Sequence, residues 1–256
     1  MTNDPGALVD VLSRAGFVAP EEEAAELLGF AMGDPAHLAA ALERRLTGEP
    51  LAWITGHVTF CGVDILIDPQ VYVPRWQTEA LTLRAIERLP AGGLAVDLCT
   101  GSGAIAKVLR ESRRRARICA TDIDACALAC ARRNGVDVYA GDLFAPLPET
   151  LRGNVDVVVG VVPYVPTAEL PFLQRDTFTF EPALFYDGGA DGLDVVRRAL
   201  EGGTRFLRRG GAMLLEIGGD QAEALTDTLA RLCYTDVRVL VDEEGDTRGV
   251  ETTFAG

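Results

Sequence analysis

One stretch of this sequence constrains the fold more than any other. An apolar run at residues 94–98 leads into a glycine-containing turn at 99–103, and a helical pattern begins at Ala104. Gly101 and Gly103 allow a ligand to approach the backbone closely, and the first turn of the helix offers unpaired N–H groups. A strand, a glycine-rich turn and a helix in this order predict a ligand-binding unit of an α/β sheet.

Strands and helices alternate along the rest of the chain. The candidate strands cover residues 94–98, 117–121, 136–140, 155–160 and 212–217, with a final strand pair near 237–241 and 251–254. Helical patterns begin near Ala104 and cover residues 124–133, 195–207 and 221–232. This alternation predicts a doubly wound α/β sheet that ends in an antiparallel strand pair.

The region before the sheet has a different pattern. Residues 4–48 are mostly amphipathic in the helical period, and residues 58–73 have the β-branched, alternating character of a hairpin. We therefore expect a small N-terminal helical domain at 1–56, a β-hairpin linker at 57–75 and an α/β domain at 76–256.

Composition excludes several classes of protein. The 38 acidic and 24 basic side chains give a net charge of −14, which disfavours a nucleic acid partner. The hydrophobic content of 48% excludes disorder, and no apolar run is long enough to span a membrane. Six cysteines without a C-x-x-C pair and only two histidines predict no metal site. The absence of a secretory signal predicts a cytoplasmic protein.

Acidic residues follow three of the predicted strands. Asp97 lies near the end of the first, Asp122 ends the second 19 residues after Gly103, and Asp142 follows the third. A dinucleotide fingerprint would have glycine where Cys99 and Ala104 stand. Three carboxylates at neighbouring strand ends therefore fit a cationic nucleoside ligand better than a pyrophosphate.

This combination resembles the class I S-adenosylmethionine (AdoMet) methyltransferases, which have a seven-stranded Rossmann-like sheet with an antiparallel last strand. The resemblance implies an enzyme with AdoMet as cofactor. The implied contacts are Asp97 and the Gly101–Gly103 loop with the methionine part, Asp122 with the ribose hydroxyls, and Asp142 with the adenine amine, with Leu143 beside the ring. Thr100 and Ile123 are further implied cofactor contacts. The alternative is a glycine-rich turn with helix-capping acids and no ligand; two further acids in register with successive strands favour the cofactor.

Four further stretches resemble the HemK/PrmC family. They are Glu-Pro-Leu-Ala-Trp-Ile-Thr-Gly at 49–56, Val-Pro-Arg with Thr-Glu at 73–79, Glu-Pro-Ala-Leu with Gly-Gly-Ala-Asp-Gly-Leu at 181–193, and Glu-Ile-Gly with Gln at 216–221. The resemblance covers nearly the whole chain. It implies methylation of the glutamine side-chain amide in a peptide-release-factor motif.

The chain departs from that family at the catalytic position. The family has Asn-Pro-Pro-Tyr after the fourth strand, and its asparagine and the next backbone carbonyl hold the substrate amide. Here the residues are Val161, Val162, Pro163 and Tyr164, and a valine side chain makes no hydrogen bond. Trp76 and Gln77 likewise replace a proline and an acid of the family pattern.

From this departure we expect a small aromatic acceptor, an indole-like or other electron-rich planar metabolite methylated at nitrogen, oxygen or carbon in specialised metabolism. The residues expected to bind it are Trp76, Val161, Val162, Pro163 and Tyr164, with Phe178 or Phe180. Glu181 is the candidate base, assisted by Tyr164. Each of these assignments has an alternative. Trp76 and the phenylalanines could simply pack the domain junction, and Glu181 could simply orient a loop.

Two other functions stay open at this point. One is N-methylation of the glutamine in the Gly-Gly-Gln motif of peptide chain release factors. The other is a decayed, non-catalytic AdoMet-binding protein, which the five intact residues of the cofactor motif disfavour. The sequence leaves the oligomeric state open.

Overall fold

A computed structural model describes residues 4–173 and 180–256 of the chain. The N-terminal part is helical, with α1 (Pro5–Ala15), α2 (Pro20–Ala31), α3 (Pro35–Leu46) and α4 (Leu51–Thr55). Proline opens each of the first three helices, where its missing N–H costs nothing. No helix among the described residues is both long and apolar enough to cross a membrane.

These four helices bury a hydrophobic cluster of their own. Leu12 and Leu27 are fully buried in it, and Ile54 of α4 joins them. Beside the cluster, the buried Arg45 forms a two-pronged ion pair with Glu23 at 2.6 and 2.9 Å. The helical content of residues 4–48 is thus confirmed, while the domain boundaries at residues 56 and 75 stay a prediction.

The predicted hairpin is shorter than expected. Its strands are β1 (His57–Phe60) and β2 (Val63–Leu66), which pair antiparallel around a turn at 61–62. The side chain of Asn134 accepts a hydrogen bond from Leu66 N–H (2.9 Å) and donates to the carbonyls of Leu66 (2.8 Å) and Ser102 (2.9 Å). The hairpin is therefore fastened directly to the glycine-containing turn.

The α/β part follows the predicted alternation. Its strands are β3 (Leu94–Leu98), β4 (Arg117–Asp122), β5 (Val138–Ala140), β6 (Val155–Gly160), β7 (Leu207–Leu215), β8 (Tyr234–Val241) and β9 (Thr247–Phe254). Its helices are α5 (Glu79–Arg88), α6 (Ala104–Ser112), α7 (Ala125–Arg133), α8 (Asp194–Phe206), α9 (Gln221–Ala224) and α10 (Thr226–Arg231). The strands form one seven-stranded sheet, which confirms the predicted Rossmann-like fold.

The strand order explains where a ligand site forms. The order is β5-β4-β3-β6-β7-β9-β8, parallel except for β9, which pairs antiparallel with β7 and β8. The chain moves outward in opposite directions from β3 and β6, so the loops at the carboxyl ends of these two strands diverge. In doubly wound sheets a ligand binds in the crevice at this point.

The main differences from the sequence prediction lie after β6. The strand predicted at 212–217 is β7, which begins earlier because Leu207 pairs with Val155 across a register shift. Its first half, Arg-Arg-Gly-Gly at 208–211, has little β propensity and was therefore not recognised. The single helix predicted at 221–232 is two short helices that meet at Leu225.

Candidate active site

The loop between β3 and α6 forms the floor of the site. Its backbone has positive φ at Cys99 (53°), Gly101 (56°) and Gly103 (81°). The N–H of Thr100 donates to the carbonyl of Thr121 on β4 (3.0 Å), which ties the loop to the neighbouring strand. A Cβ placed on Gly101 would meet only Cβ of Tyr72, 3.9 Å away, so the loop is open to a ligand there.

Gly103 is required by packing as well as by conformation. A Cβ there would lie 2.9 Å from Cγ2 of Val136 and 3.1 Å from Cβ of Ala131. We expect Gly103→Ala to lower the free energy of unfolding by about 2–5 kcal/mol, the sum of left-handed strain and overpacking. Urea denaturation measures this loss. Gly62→Ala is the control, since Gly62 has φ 73° and no atom within 4 Å of an added Cβ; equal losses would contradict the packing argument.

Asp97 lies beneath this loop, with only 1% of its surface exposed. One carboxylate oxygen, Oδ2, accepts hydrogen bonds from the Thr100 hydroxyl (2.5 Å) and the Ala106 N–H (3.2 Å). Burial raises the pKa of Asp97 to about 7, and the nearby charge of Asp122 adds to the effect. The carboxylate is therefore poised to gain from a positively charged ligand.

Asp122 ends β4 and holds the other side of the loop. Its Oδ2 accepts from the Gly101 N–H and its Oδ1 from the Asp124 N–H, both at 2.9 Å. Burial raises its pKa as well. Ile123, the next residue, is 57% exposed at the same strand end.

The third acid is placed differently. Asp142 is half exposed and forms an ion pair with Arg198 of α8. Leu143 beside it is buried and has positive φ (45°). The carboxylate of Asp142, which the resemblance assigns to the adenine amine, is thus paired with Arg198 in this structure.

The structure brings seven of the predicted site residues together around one pocket. They are Gly101, Asp122, Ile123, Asp142, Leu143, Val161 and Pro163. Asp97 lies beneath the loop, Thr100 and Gly103 are part of it, and none of the three lines the pocket. The side chain of Val162 is also outside the pocket, because it is buried in the core next to β6.

Glu181 does not reach this pocket. Its side chain is fully buried and forms an ion pair with Arg75 (2.6 Å). It also accepts hydrogen bonds from the Tyr186 hydroxyl and from the Val73 N–H (3.2 Å). These contacts tie the segment before α5 to the segment at 181–186. They agree with the alternative interpretation, in which Glu181 orients a loop.

The predicted aromatic wall is also not assembled. Trp76 is 69% exposed in a short 3-10 turn. Tyr164 does not line this pocket, and its hydroxyl donates to Glu216 (2.8 Å). Phe180 packs edge-on against Trp53, with ring centroids 6.4 Å apart, and Phe178 lies outside the described residues.

Several lining residues were missed from the sequence. Tyr72 and Phe185, whose rings meet edge-on at 6.2 Å, lie next to residues that resemble the family, but nothing in their spacing placed them at the pocket. Arg198 has no local signal, since it is one arginine among several on α8. With Val161 and Leu184, the two rings make one wall of the pocket apolar.

The residues present fit AdoMet. Two buried polar atoms find no hydrogen-bond partner within residues 4–173 and 180–256, Oδ1 of Asp97 and Oγ1 of Thr121. Both belong to adjacent strand ends next to the open Gly101 backbone, and Thr121 lines the pocket. Buried polar groups are normally paired, so this site calls for a ligand with hydrogen-bonding groups. AdoMet carries an ammonium group, hydroxyls and a positive charge.

Comparisons with known proteins agree with this geometry. The model of the FtsJ-like methyltransferase family matches residues 81–243. The release factor glutamine methyltransferase of Moorella thermoacetica is 40% identical over 95% of this chain and 94% of its own length. That of Geobacter sulfurreducens is 34% identical over 85% and 78%. The structure of the E. cuniculi Mtq2–Trm112 complex, which methylates the eRF1 termination factor, is 26% identical, with a TM-score of 0.50 over 72% of this chain and 98% of that one.

These relatives overturn one expectation. The prediction of a small aromatic metabolite, such as an indole, as acceptor and partner is wrong, because relatives that match most of the chain are named for methylating a release factor. Glu181 was expected to act as a base on the ring of that acceptor, so this expectation has no basis without it.

The sheet order, the open loop above Asp97 and the matches over most of the chain all support one assignment. The chain is an AdoMet-dependent methyltransferase, and it belongs to the release factor glutamine methyltransferase (HemK/PrmC) family.

Proposed function

We propose that this enzyme methylates the side-chain amide nitrogen of a glutamine in a peptide chain release factor. The observation that carries the proposal is the 40% identity to the Moorella thermoacetica enzyme across 95% of this chain and 94% of that one. A match confined to the cofactor half would support only a shared fold. A match that includes the N-terminal helices also supports a shared substrate class.

The β6 loop supplies main-chain groups suited to an amide. Val161 and Pro163 line the pocket, and no described residue donates a hydrogen bond to the carbonyl of Val161 or Val162. A primary amide has two N–H donors, so these two carbonyls are the natural acceptors for the glutamine side chain.

When bound, AdoMet supplies an electrophilic methyl group on a positively charged sulfur. In this proposal Asp97 and Asp122 hold the cofactor through the loop they shape. The carbonyls of Val161 and Val162 orient the amide nitrogen, and the apolar wall around Tyr72 and Phe185 excludes water. Holding the two reacting groups in an attack geometry is a large source of rate enhancement for a group transfer.

Trp76 remains a proposed substrate contact, but the substrate in this proposal is the release factor. An indole ring that is 69% exposed is a poor wall for a small enclosed molecule. It suits the surface of a protein, because exposed tryptophans are frequent anchors of protein interfaces.

The test is transfer of a labelled methyl group from AdoMet to a purified release factor, with the modified residue located by mass spectrometry. We expect one methyl group on the glutamine of the Gly-Gly-Gln motif. A release factor with that glutamine replaced by alanine is the control and should stay unlabelled. Label at another residue, or equal label in the control, would refute the proposal.

A further inference from the structure

The carbonyl end of Tyr164 is held by the side chain of Gln221. Nε2 of Gln221 donates to the carbonyl of Tyr164 (2.8 Å) and to that of Asp191 (3.2 Å). Its Oε1 accepts from the Gly218 N–H (2.9 Å). One amide side chain thus joins the loop after β6, the turn before α8 and the turn after β7.

The hydroxyl end of Tyr164 is held by a second group. It donates to Oε1 of Glu216 (2.8 Å), whose Oε2 accepts from the Thr78 hydroxyl (2.6 Å). Glu216 and Thr78 are both buried. Tyr164 therefore connects the loop after β6 to the start of α5 through a shielded hydrogen-bond chain, where such bonds are strongest.

The surrounding backbone is shaped for the first of these contacts. A Cβ on Gly192 would lie 2.2 Å from the carbonyl oxygen of Tyr164 and 2.5 Å from Nε2 of Gln221, so only glycine leaves room there. The next residue, Val165, is fixed as well, since its N–H donates to the carbonyl of Tyr186 (2.8 Å) and its carbonyl accepts from the Gly188 N–H (2.9 Å).

We infer that Gln221 and Glu216 are positioning residues for methyl transfer. They hold Tyr164 at its two ends and so set the place of the main-chain carbonyls two and three residues earlier, at Val162 and Val161. The inference rests on the proposed function, in which those carbonyls receive the amide of the glutamine. In this inference Tyr164 also has a positioning role, because it links the loop after β6 to both of these residues.

The physical reason is the absence of a side-chain anchor at position 161. Valine offers no hydrogen bond to the substrate amide, so alignment depends on the main chain alone. A shift of the loop by about 1 Å is enough to lower a group-transfer rate about 100-fold. The cofactor is held by other elements, the loop after β3 and the end of β4, and should not sense such a shift.

The test compares Gln221→Met, which keeps the length of the side chain and removes its hydrogen bonds, with Glu223→Met, an exposed position on the same helix. Gln221→Met should lower kcat with the release factor about 10- to 100-fold. KM for the release factor and Kd for AdoMet should stay within about twofold of the wild-type values. Tyr164→Phe, which loses only the hydroxyl contact, should lower kcat by less.

Amide hydrogen exchange of the peptide containing residues 160–166 gives a readout that needs no substrate. We expect faster exchange there in Gln221→Met and no change in Glu223→Met. Unchanged kcat and unchanged exchange in Gln221→Met would overturn the inference, as would a loss carried by KM or by AdoMet affinity. If Gln221→Met does not fold, Tyr164→Phe decides by the same criteria. If the proposed function is wrong, the wild type transfers no methyl group to the release factor. The hydrogen-exchange result then decides only whether Gln221 fixes the loop after β6.

Discussion

Val161→Asn is expected to raise kcat/KM for the release factor about 10-fold, within a range of about 5- to 150-fold. The wild-type valine lines the pocket, and its side chain can give no hydrogen bond to the substrate amide, which in the proposed function is held by main-chain carbonyls. Asparagine has almost the same size and adds one donor and one acceptor. An unpaired polar group in a closed site costs about 1–3 kcal/mol, and this cost sets the range.

Steady-state kinetics with a release factor measure the effect. Val161→Leu serves as the control, because it changes the shape of the side chain without adding a hydrogen-bonding group, and it should bring no gain. Val161 packs against the hydrophobic core, so assays must be run well below the unfolding temperature of each variant. Equal or lower kcat/KM in Val161→Asn would mean that the amide is held entirely by other groups.

The architecture could be predicted because its signals are local. The β3 run at 94–98 and the glycines after it mark a strand, a tight turn and a helix within a dozen residues, and β6 at 155–160 is a plain apolar run. Asp97 and Asp122 then fall at neighbouring strand ends by topology alone. Prediction was poorer where local β propensity and the pairing in the folded sheet disagree. Residues 208–211 have little β propensity, yet they belong to β7, which pairs with β6.

The acceptor side could not be predicted because its contacts are long-range. Glu181 looks like a free acid in the sequence, yet it is 106 positions from the arginine that neutralises it. Tyr72 and Phe185 meet across a similar distance in the chain. No periodicity connects such pairs, and only the folded chain shows which side chains face the pocket.

The wrong acceptor has a specific physical origin. It came from the side chains alone: the change from asparagine to valine at position 161 removes polarity, and Trp76 in place of proline adds an aromatic ring. The structure adds what a side-chain pattern omits, two main-chain carbonyls at Val161 and Val162 that no described residue uses. It also shows that Trp76 is exposed at the surface and does not line the pocket.

The second large effect is expected at Asp97. We expect Asp97→Asn to weaken AdoMet binding about 10- to 100-fold, measured by calorimetric titration at pH 8. The carboxylate is buried beneath the loop that would hold the cofactor, one of its oxygens lacks a partner among the described residues, and its negative charge favours a cationic ligand. Hydrogen bonds to a charged group contribute about 1.5–3 kcal/mol each, and one such contact accounts for the loss.

The same substitution should make the cofactor-free protein more stable. Burial raises the pKa of Asp97 from 3.8 to about 7. Between these values the folded protein keeps a proton that the unfolded chain has released, so stability falls as the pH rises through this window. Asparagine cannot ionise, and we expect a gain in unfolding free energy on the order of 1–2 kcal/mol at pH 8, after the weaker hydrogen bonds to Thr100 and Ala106 are counted.

Opposite pH trends distinguish this account from a purely structural role. As the pH rises from 6 to 8, AdoMet affinity of the wild type should increase because Asp97 ionises, while the stability of the cofactor-free protein decreases. Asp97→Asn should weaken both trends. Asp137→Asn, an exposed acid outside the pocket, should leave both at wild-type values. If Asp97→Asn lost stability and affinity together at every pH, the carboxylate would be a structural support of the loop, and its charge would have no part in holding the cofactor.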